Sequence, residues 1–244
     1  MSPSKYHIGT SGWVYPHWRG AFYPSELPQS RWFEHYSSHF STVEINNSFY
    51  RLPSQKAFDR WRDNAPDGFI YTVKVSRFIT HIKKLVDVSR PLSTFIDRAR
   101  RLGVRLGPLL YQLPPVMRRD DARLESFLSL LPGDLHHTIE FRHDSWLHNE
   151  VFDMLRLHNV ALCIFDMPGV HCPLAVTADF AYIRMHGSSG MYSSWYSDDE
   201  LGHWAKKISE LSRGLKSVYI YFNNDAEGFA VNNAKMLREK LTVL

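Results

Sequence analysis

Short runs rich in β-branched and aromatic residues recur along the chain, and most are followed by a stretch with helical spacing. The runs are YHIGTS (6–11), TVEINNSF (42–49), FIYTVKVS (69–76), LGPLLYQL (106–113), HHTIEFR (136–142), ALCIFDM (161–167), FAYIRMHG (180–187) and SVYIYFNN (217–224). Their composition and partial period-2 alternation predict strands. Between them, Phe95, Ile96, Ala99 and Leu102 fall on one helical face, as do Leu124, Phe127, Leu128 and Leu131. A third face carries Leu201, Trp204, Ile208 and Leu211, and Ser197 with Glu200 opens that helix at capping-box spacing. PGVHCPLAVTAD, after the sixth run, reads as a loop.

Eight strands alternating with helices imply a parallel sheet, and eight is the number that closes into an α/β barrel of TIM type. An open doubly wound sheet is the alternative. Connectors leaving helices are short (PDG, LGV, PGD, HNV, RGLK), whereas most connectors leaving strands are long. In a barrel, binding and catalytic groups occupy the strand-exit loops, so function is expected at the C-terminal mouth. With 244 residues, no internal repeat and no linker, residues 1–244 are expected to form a single domain.

IGTSGWVYPHWRGAFYP, VEINNSFYRLP, VKVSRFITH, LGPLLYQLPP, IEFRHDSW, YIRMHG and VYIYFNNDAEGFAVNNA, in this order from about residue 7 to residue 237, resemble the YecE-like proteins, domain-of-unknown-function family 72. The resemblance implies a TIM-barrel-like fold and no settled activity. A likeness between such barrels and barrels that bind or cut nucleic acid is an analogy at the level of fold.

Parity then assigns faces. Val43 and Ile45 oppose Glu44 and Asn46, and Val73 and Val75 oppose Thr72, Lys74 and Ser76. The apolar face is the one that helices must cover, so the polar set points inward. The same rule adds Gln112, Thr138, Glu140, Arg142, Asp166, Tyr182, Arg184, His186, Tyr219, Tyr221 and Asn223. Barrel interiors are usually aliphatic, and buried charges persist only when paired and hydrogen-bonded. A self-satisfied ion-pair network of Glu44, Glu140 and Asp166 with Lys74, Arg142 and Arg184 is the plainer explanation; a polar ligand site is the functional one. On the functional reading Glu44, Lys74, Glu140 and His186 are the candidate catalytic groups. Asn46, Gln112, Arg142, Asp166, Arg184, Ser188, Asn223, Asn224, Trp13 and Tyr50 would hold substrate, with an anion expected between the exits of strands seven and eight, where Ser188 lies between Gly187 and Gly190 and where Asn223 and Asn224 precede Gly228. Aromatics crowd the exit loops as well: Trp13, Tyr15, Trp18, Phe22 and Tyr23, then Phe49 and Tyr50, Trp146, and Tyr192, Trp195 and Tyr196.

Composition narrows these readings. Hydrophobic content of 44% supports a large core, and no apolar run is long enough for a membrane helix. The N-terminus lacks a charged and apolar leader, which leads us to expect a cytoplasmic protein. Cys163 and Cys172 match neither a disulfide framework nor zinc spacing, so neither a structural zinc nor a cofactor is expected. A formal charge of +4 is compatible with an anionic partner, although basic residues cluster only briefly, as in RARRLGVR. The first expectation is therefore an enzyme using acid–base chemistry on a small phosphorylated or polyhydroxylated anion. The alternative is a protein that binds or processes nucleic acid, with basic groups on phosphates and rim aromatics stacking on bases.

Overall fold

The computed structural model describes residues 5–190 and 192–243, so the first four residues of the N-terminal reading lie outside them. All eight strands are present: β1 (Tyr6–Thr10), β2 (Thr42–Ile45), β3 (Ile70–Lys74), β4 (Leu106–Gln112), β5 (His137–Glu140), β6 (Val160–Asp166), β7 (Phe180–Met185) and β8 (Ser217–Phe222). They form one sheet in the order β1-β8-β7-β6-β5-β4-β3-β2. The two ends of that order meet, because Ser11, just beyond β1, makes a parallel bridge to Glu44 in β2. This is the TIM-barrel-like α/β arrangement, not an open doubly wound sheet.

Gly9 permits that approach: a Cβ there would lie 2.3 Å from the carbonyl oxygen of Thr42. The Tyr36 hydroxyl fastens the same place, accepting from the Thr10 amide and donating to the Thr42 carbonyl, each at 3.0 Å.

The helices are α1 (Trp32–Ser37), α2 (Asn47–Tyr50), α3 (Gln55–Asn64), α4 (Ser89–Ala99), α5 (Asp121–Leu128), α6 (Asn149–Leu157), α7 (Asp198–Leu211) and α8 (Phe229–Thr242). None is long and apolar enough to cross a membrane. On α4 the expected face is buried through Phe95, Ile96 and Ala99, and Leu102 continues it in the following 3-10 turn. Burying each of its large side chains stabilises by about 1.5 to 3 kcal/mol. The capping box at α7 is complete: Ser197 Oγ accepts from the Glu200 amide at 3.2 Å, and Glu200 Oε2 accepts from the Ser197 amide at 2.7 Å. Leu131, by contrast, lies past the end of α5. No helix follows β6, as expected.

Strands end earlier than the sequence runs suggest. After Ile45 the chain turns at Asn46 into α2, because Ser48 Oγ donates to the carbonyls of Ile45 (3.2 Å) and Lys74 (2.6 Å) and local bonding replaces the ladder. Asn46 is thus the N-cap residue of a helix, and strand parity does not assign its direction. Arg142, His186 and Asn223 likewise sit just beyond β5, β7 and β8.

Contacts divide the chain into two compact units: Met1–Glu44 with Ile164–Leu174 and Asp179–Leu244, and Ile45–Cys163 with Ala175–Ala178. Each carries its own polar cluster at strand ends.

Candidate functional site

In the first unit the cluster centres on Glu44, fully buried in β2. Arg184, at 1% exposure on β7, forms a fork on it, with Nη2 at 2.8 Å from Oε1 and Nε at 3.1 Å from Oε2. Ser11 Oγ donates to Oε1 at 2.7 Å and the Tyr182 hydroxyl to Oε2 at 2.6 Å. The carboxylate therefore receives four hydrogen bonds, its full acceptor capacity. Burial, and then the Glu44 charge, raise the Tyr182 phenol well above its ordinary pKa, which keeps it a donor. The ion-pair expectation holds here for Glu44 with Arg184, and Glu44 is placed to hold Arg184 in position.

Next to it, His186 is buried at the end of β7, and its amide extends the ladder to the Asp166 carbonyl at 2.9 Å. Asn223 Nδ2 lies 3.2 Å from His186 Nδ1. With the amide nitrogen as donor, Nδ1 is the acceptor in this contact. Asp166, half-buried, accepts from Trp204 Nε1 at 3.2 Å and from the Tyr196 hydroxyl. Burial raises its pKa, as it does that of Asp225 in the same unit, and so favours the protonated form of each.

The loop expected to cradle an anion is braced from within. Gly187 has φ +111°, its amide donates to the Tyr196 hydroxyl at 2.9 Å, and Ser188 Oγ donates to the Trp195 carbonyl. Asn224 is buried and directs its amide nitrogen at the Ser194 carbonyl (2.8 Å) and at Asn233 Oδ1 (2.9 Å). Asn233 in α8 holds both the amide and the carbonyl of Tyr196. The Asp225 carbonyl accepts from Trp18 Nε1 at 3.0 Å and meets His17 Nε2 at 2.6 Å, which ties the loops after β1 and β8 together. Asn224 and Ser188 thus engage their amide nitrogen and hydroxyl within the loop, while Asn224 Oδ1 is buried without a partner.

The second unit gathers its groups on the adjacent strands β3, β4 and β5. Glu140, fully buried, accepts from Gln112 Nε2 at 2.8 Å and from Arg142 Nε, and the Cys163 thiol lies 3.8 Å from its other oxygen. The register sets this geometry, since Gln112 pairs with Glu140 across β4 and β5. Lys74, at the end of β3, places Nζ 4.3 Å from the centre of the Phe49 ring. His81 meets the same ring edge-on at 4.9 Å, and its Nδ1 lies 2.9 Å from Thr80 Oγ1. Burial lowers the His81 pKa, the Lys74 and Arg77 charges lower it further, and Glu140 opposes them with a smaller effect. The field at His81 is thus net positive. A π-helical turn, Phe78–Ile82, carries this histidine. Sequence reasoning missed it because no alternation or paired motif marks a lone histidine in an exit loop.

Most of the aromatic rim is packing. Trp18, Tyr23, Trp146 and Tyr196 are fully buried, and Tyr23 stacks on Trp32 at 4.6 Å. Trp13 makes an edge contact with Phe33 at 5.5 Å. Tyr50 remains 73% exposed, and Tyr192 and Trp195 are also at the surface. Among the described residues, no group of three His, Cys, Asp or Glu side chains is placed to hold a metal ion.

Residues 7–243 match the family model described as "Protein of unknown function DUF72". The chain belongs to the DUF72 family. A solved DUF72 family protein from Thermotoga maritima MSB8 superposes with a TM-score of 0.88 over 98% of this chain and 100% of that one, at 29% identity. Among curated relatives, the UPF0759 protein YunF of Bacillus subtilis is 23% identical, with 97% of this chain and 95% of that protein covered. The UPF0759 protein YecE of Escherichia coli K12 is 31% identical over a shorter stretch, 56% of this chain and 48% of that protein. The family resemblance and the barrel-type fold read from the sequence both stand.

Proposed function

We propose that this protein binds and acts on a small anionic substrate, phosphorylated or polyhydroxylated, at the C-terminal ends of β3, β4 and β5. The observation that carries the reading is geometric: Lys74 and His81 meet on the Phe49 ring, at 4.3 and 4.9 Å, in the unit where buried Glu140 holds Gln112 and Arg142, and the nearby cations favour a neutral imidazole. Lys74 and Arg142 serve as the anion contacts, and buried Glu140 fixes Arg142 and Gln112 through direct hydrogen bonds. The Gln112 side-chain oxygen is an acceptor suited to a substrate hydroxyl. His81, with Nδ1 at Thr80, presents Nε2 as the atom that takes or returns a proton. A neutral base beside cations suits proton removal from a substrate whose negative charge those cations hold.

The test is thermal unfolding of the wild type with increasing inorganic phosphate, sulfate and sugar phosphates. A ligand restricted to the native state raises Tm with concentration. The rise should vanish in Lys74→Met and Arg142→Gln, each compared with its own unliganded Tm, and persist in His81→Gln. Equal stabilisation of all four proteins, or of none, overturns the reading.

A further inference from the structure

A cavity of about 560 Å³ opens in the Ile45–Cys163 unit. Lys74, His81, Gln112, Glu140 and Arg142 do not line it. Its walls are apolar: Leu52 comes from the segment after α2, Phe78 and Ile79 from the π-helical turn, and Pro91 and Phe95 from α4. Pro91 and Phe95 stand four residues apart on one helical face, as do Arg90 and Thr94, so α4 contributes a continuous strip. The segment carrying Leu52 is fixed to the same helix, because Arg98 Nη1 donates to the Pro53 carbonyl at 2.8 Å.

Charge at this cavity is uneven. Lys83 and Arg90 line it, against Asp87 alone. Lys83 and Arg90 are exposed while Phe95 and Ile79 are 1% exposed, so cations lie on the solvent side and rings on the inner side. The backbone between the cations is strained. Lys84, Leu85 and Asp87 adopt left-handed φ of 47°, 69° and 52°, a conformation that non-glycine residues avoid, next to a π-helical turn. Strain of this kind persists where surrounding structure imposes it, and it gathers at ligand sites. Here it turns Leu85 into the core while Lys83 stays at the opening.

We propose that this cavity is a binding site for a small amphiphilic anion, with a short apolar body between Leu52, Ile79 and Phe95 and one negatively charged head between Lys83 and Arg90. Its size is that of a small-molecule pocket, and apolar walls with a few convergent polar groups are what such a ligand needs. The site is independent of the one proposed for the Lys74–Arg142 cluster.

Isothermal titration with octanoate, octyl phosphate and octanol tests the assignment. The wild type should bind one equivalent of an anion, and octanol at least tenfold more weakly. The tighter of octanoate and octyl phosphate identifies the head as carboxylate or phosphate. Thr94 is exposed on α4, so Thr94→Trp should fold and fill the cavity, abolishing binding. The double variant Lys83→Gln/Arg90→Gln should weaken anion binding at least tenfold and leave octanol unchanged, and it carries the test alone if Thr94→Trp fails to fold. Arg142→Gln should bind as the wild type does. Absence of anion binding, equal affinity for octanol, undiminished binding in Thr94→Trp or the charge variant, or loss in Arg142→Gln each overturns the proposal.

Discussion

Replacing Glu44 by Gln should cost this protein far more than its small change in volume suggests. Both carboxylate oxygens face donors only: Oε1 receives Ser11 and Arg184 Nη2, and Oε2 receives Tyr182 and Arg184 Nε. A glutamine nitrogen cannot accept, so whichever side it takes it meets a guanidinium N–H and a hydroxyl. It also leaves Arg184, 1% exposed, without its counter-charge. Breaking a buried pair by neutralising one partner costs about 3 to 5 kcal/mol, which for a chain of this length lowers Tm by about 6 to 20 °C. Thermal and urea unfolding followed by circular dichroism provide the measurement. The double variant Glu44→Gln/Arg184→Met should be no less stable than the worse single variant, because removing both charges ends the mismatch. A Glu44→Gln protein within about 1 kcal/mol of wild type would refute the argument that the pair is desolvated and saturated.

Three further outcomes are expected. Burial holds the His137 pKa near 4, below the ordinary 6.5, with Nε2 at the Pro132 carbonyl and Nδ1 at the Tyr111 hydroxyl. The unfolded chain thus binds a proton that the folded chain excludes; the stabilisation is complete above pH 6.5 and about 3 kcal/mol of it is lost as pH falls toward 4, so His137→Gln should show a shallower acid slope in urea midpoints and an unchanged slope would contradict this. Gly187→Ala places a Cβ 2.3 Å from the Gly190 carbonyl oxygen at φ +111°, so the loop should open, read as faster proteolysis between 187 and 196; an unaltered cleavage rate counts against the packing described. If the protein acts on nucleic acid instead, affinity for DNA or RNA must fall steeply between low and moderate salt, and salt-independent or absent binding removes that alternative.

The barrel was legible because its signals are local and repeated. Eight β-rich runs, amphipathic faces such as Phe95–Ile96–Ala99, and the Ser197–Glu200 capping box each reflect short-range physics that the fold preserves. Parity also brought Glu44, Tyr182 and Arg184 to one face, and they meet in one network. It failed at Asn46, where side-chain bonding ended β2 and wound the next residues into a helix. Asn224 and Ser188 looked like ligand groups because amides and hydroxyls near glycines can serve either a ligand or a loop. The contacts with Asn233 and Trp195 that occupy the Asn224 amide nitrogen and the Ser188 hydroxyl are tertiary, and no local pattern announces them. His81 was invisible for the converse reason: the charges that set its protonation come from residues distant in sequence as well as near.

The pairing of β1 with β8 sets an order of events during synthesis. Tyr6 lies opposite Val218 and Thr10 opposite Phe222, so this ladder forms only once β8 has been made. Ile45–Cys163, almost unbroken in sequence, can collect its own partners much earlier. Until β8 is made, β1 has its contacts at the β2 end, through Tyr36 and the Ser11–Glu44 bridge, while its edge toward β8 stays open. That interval is when a strand edge is most exposed to wrong partners. A slower codon tract or a bound chaperone near the start would change the yield of folded protein without touching a single native contact.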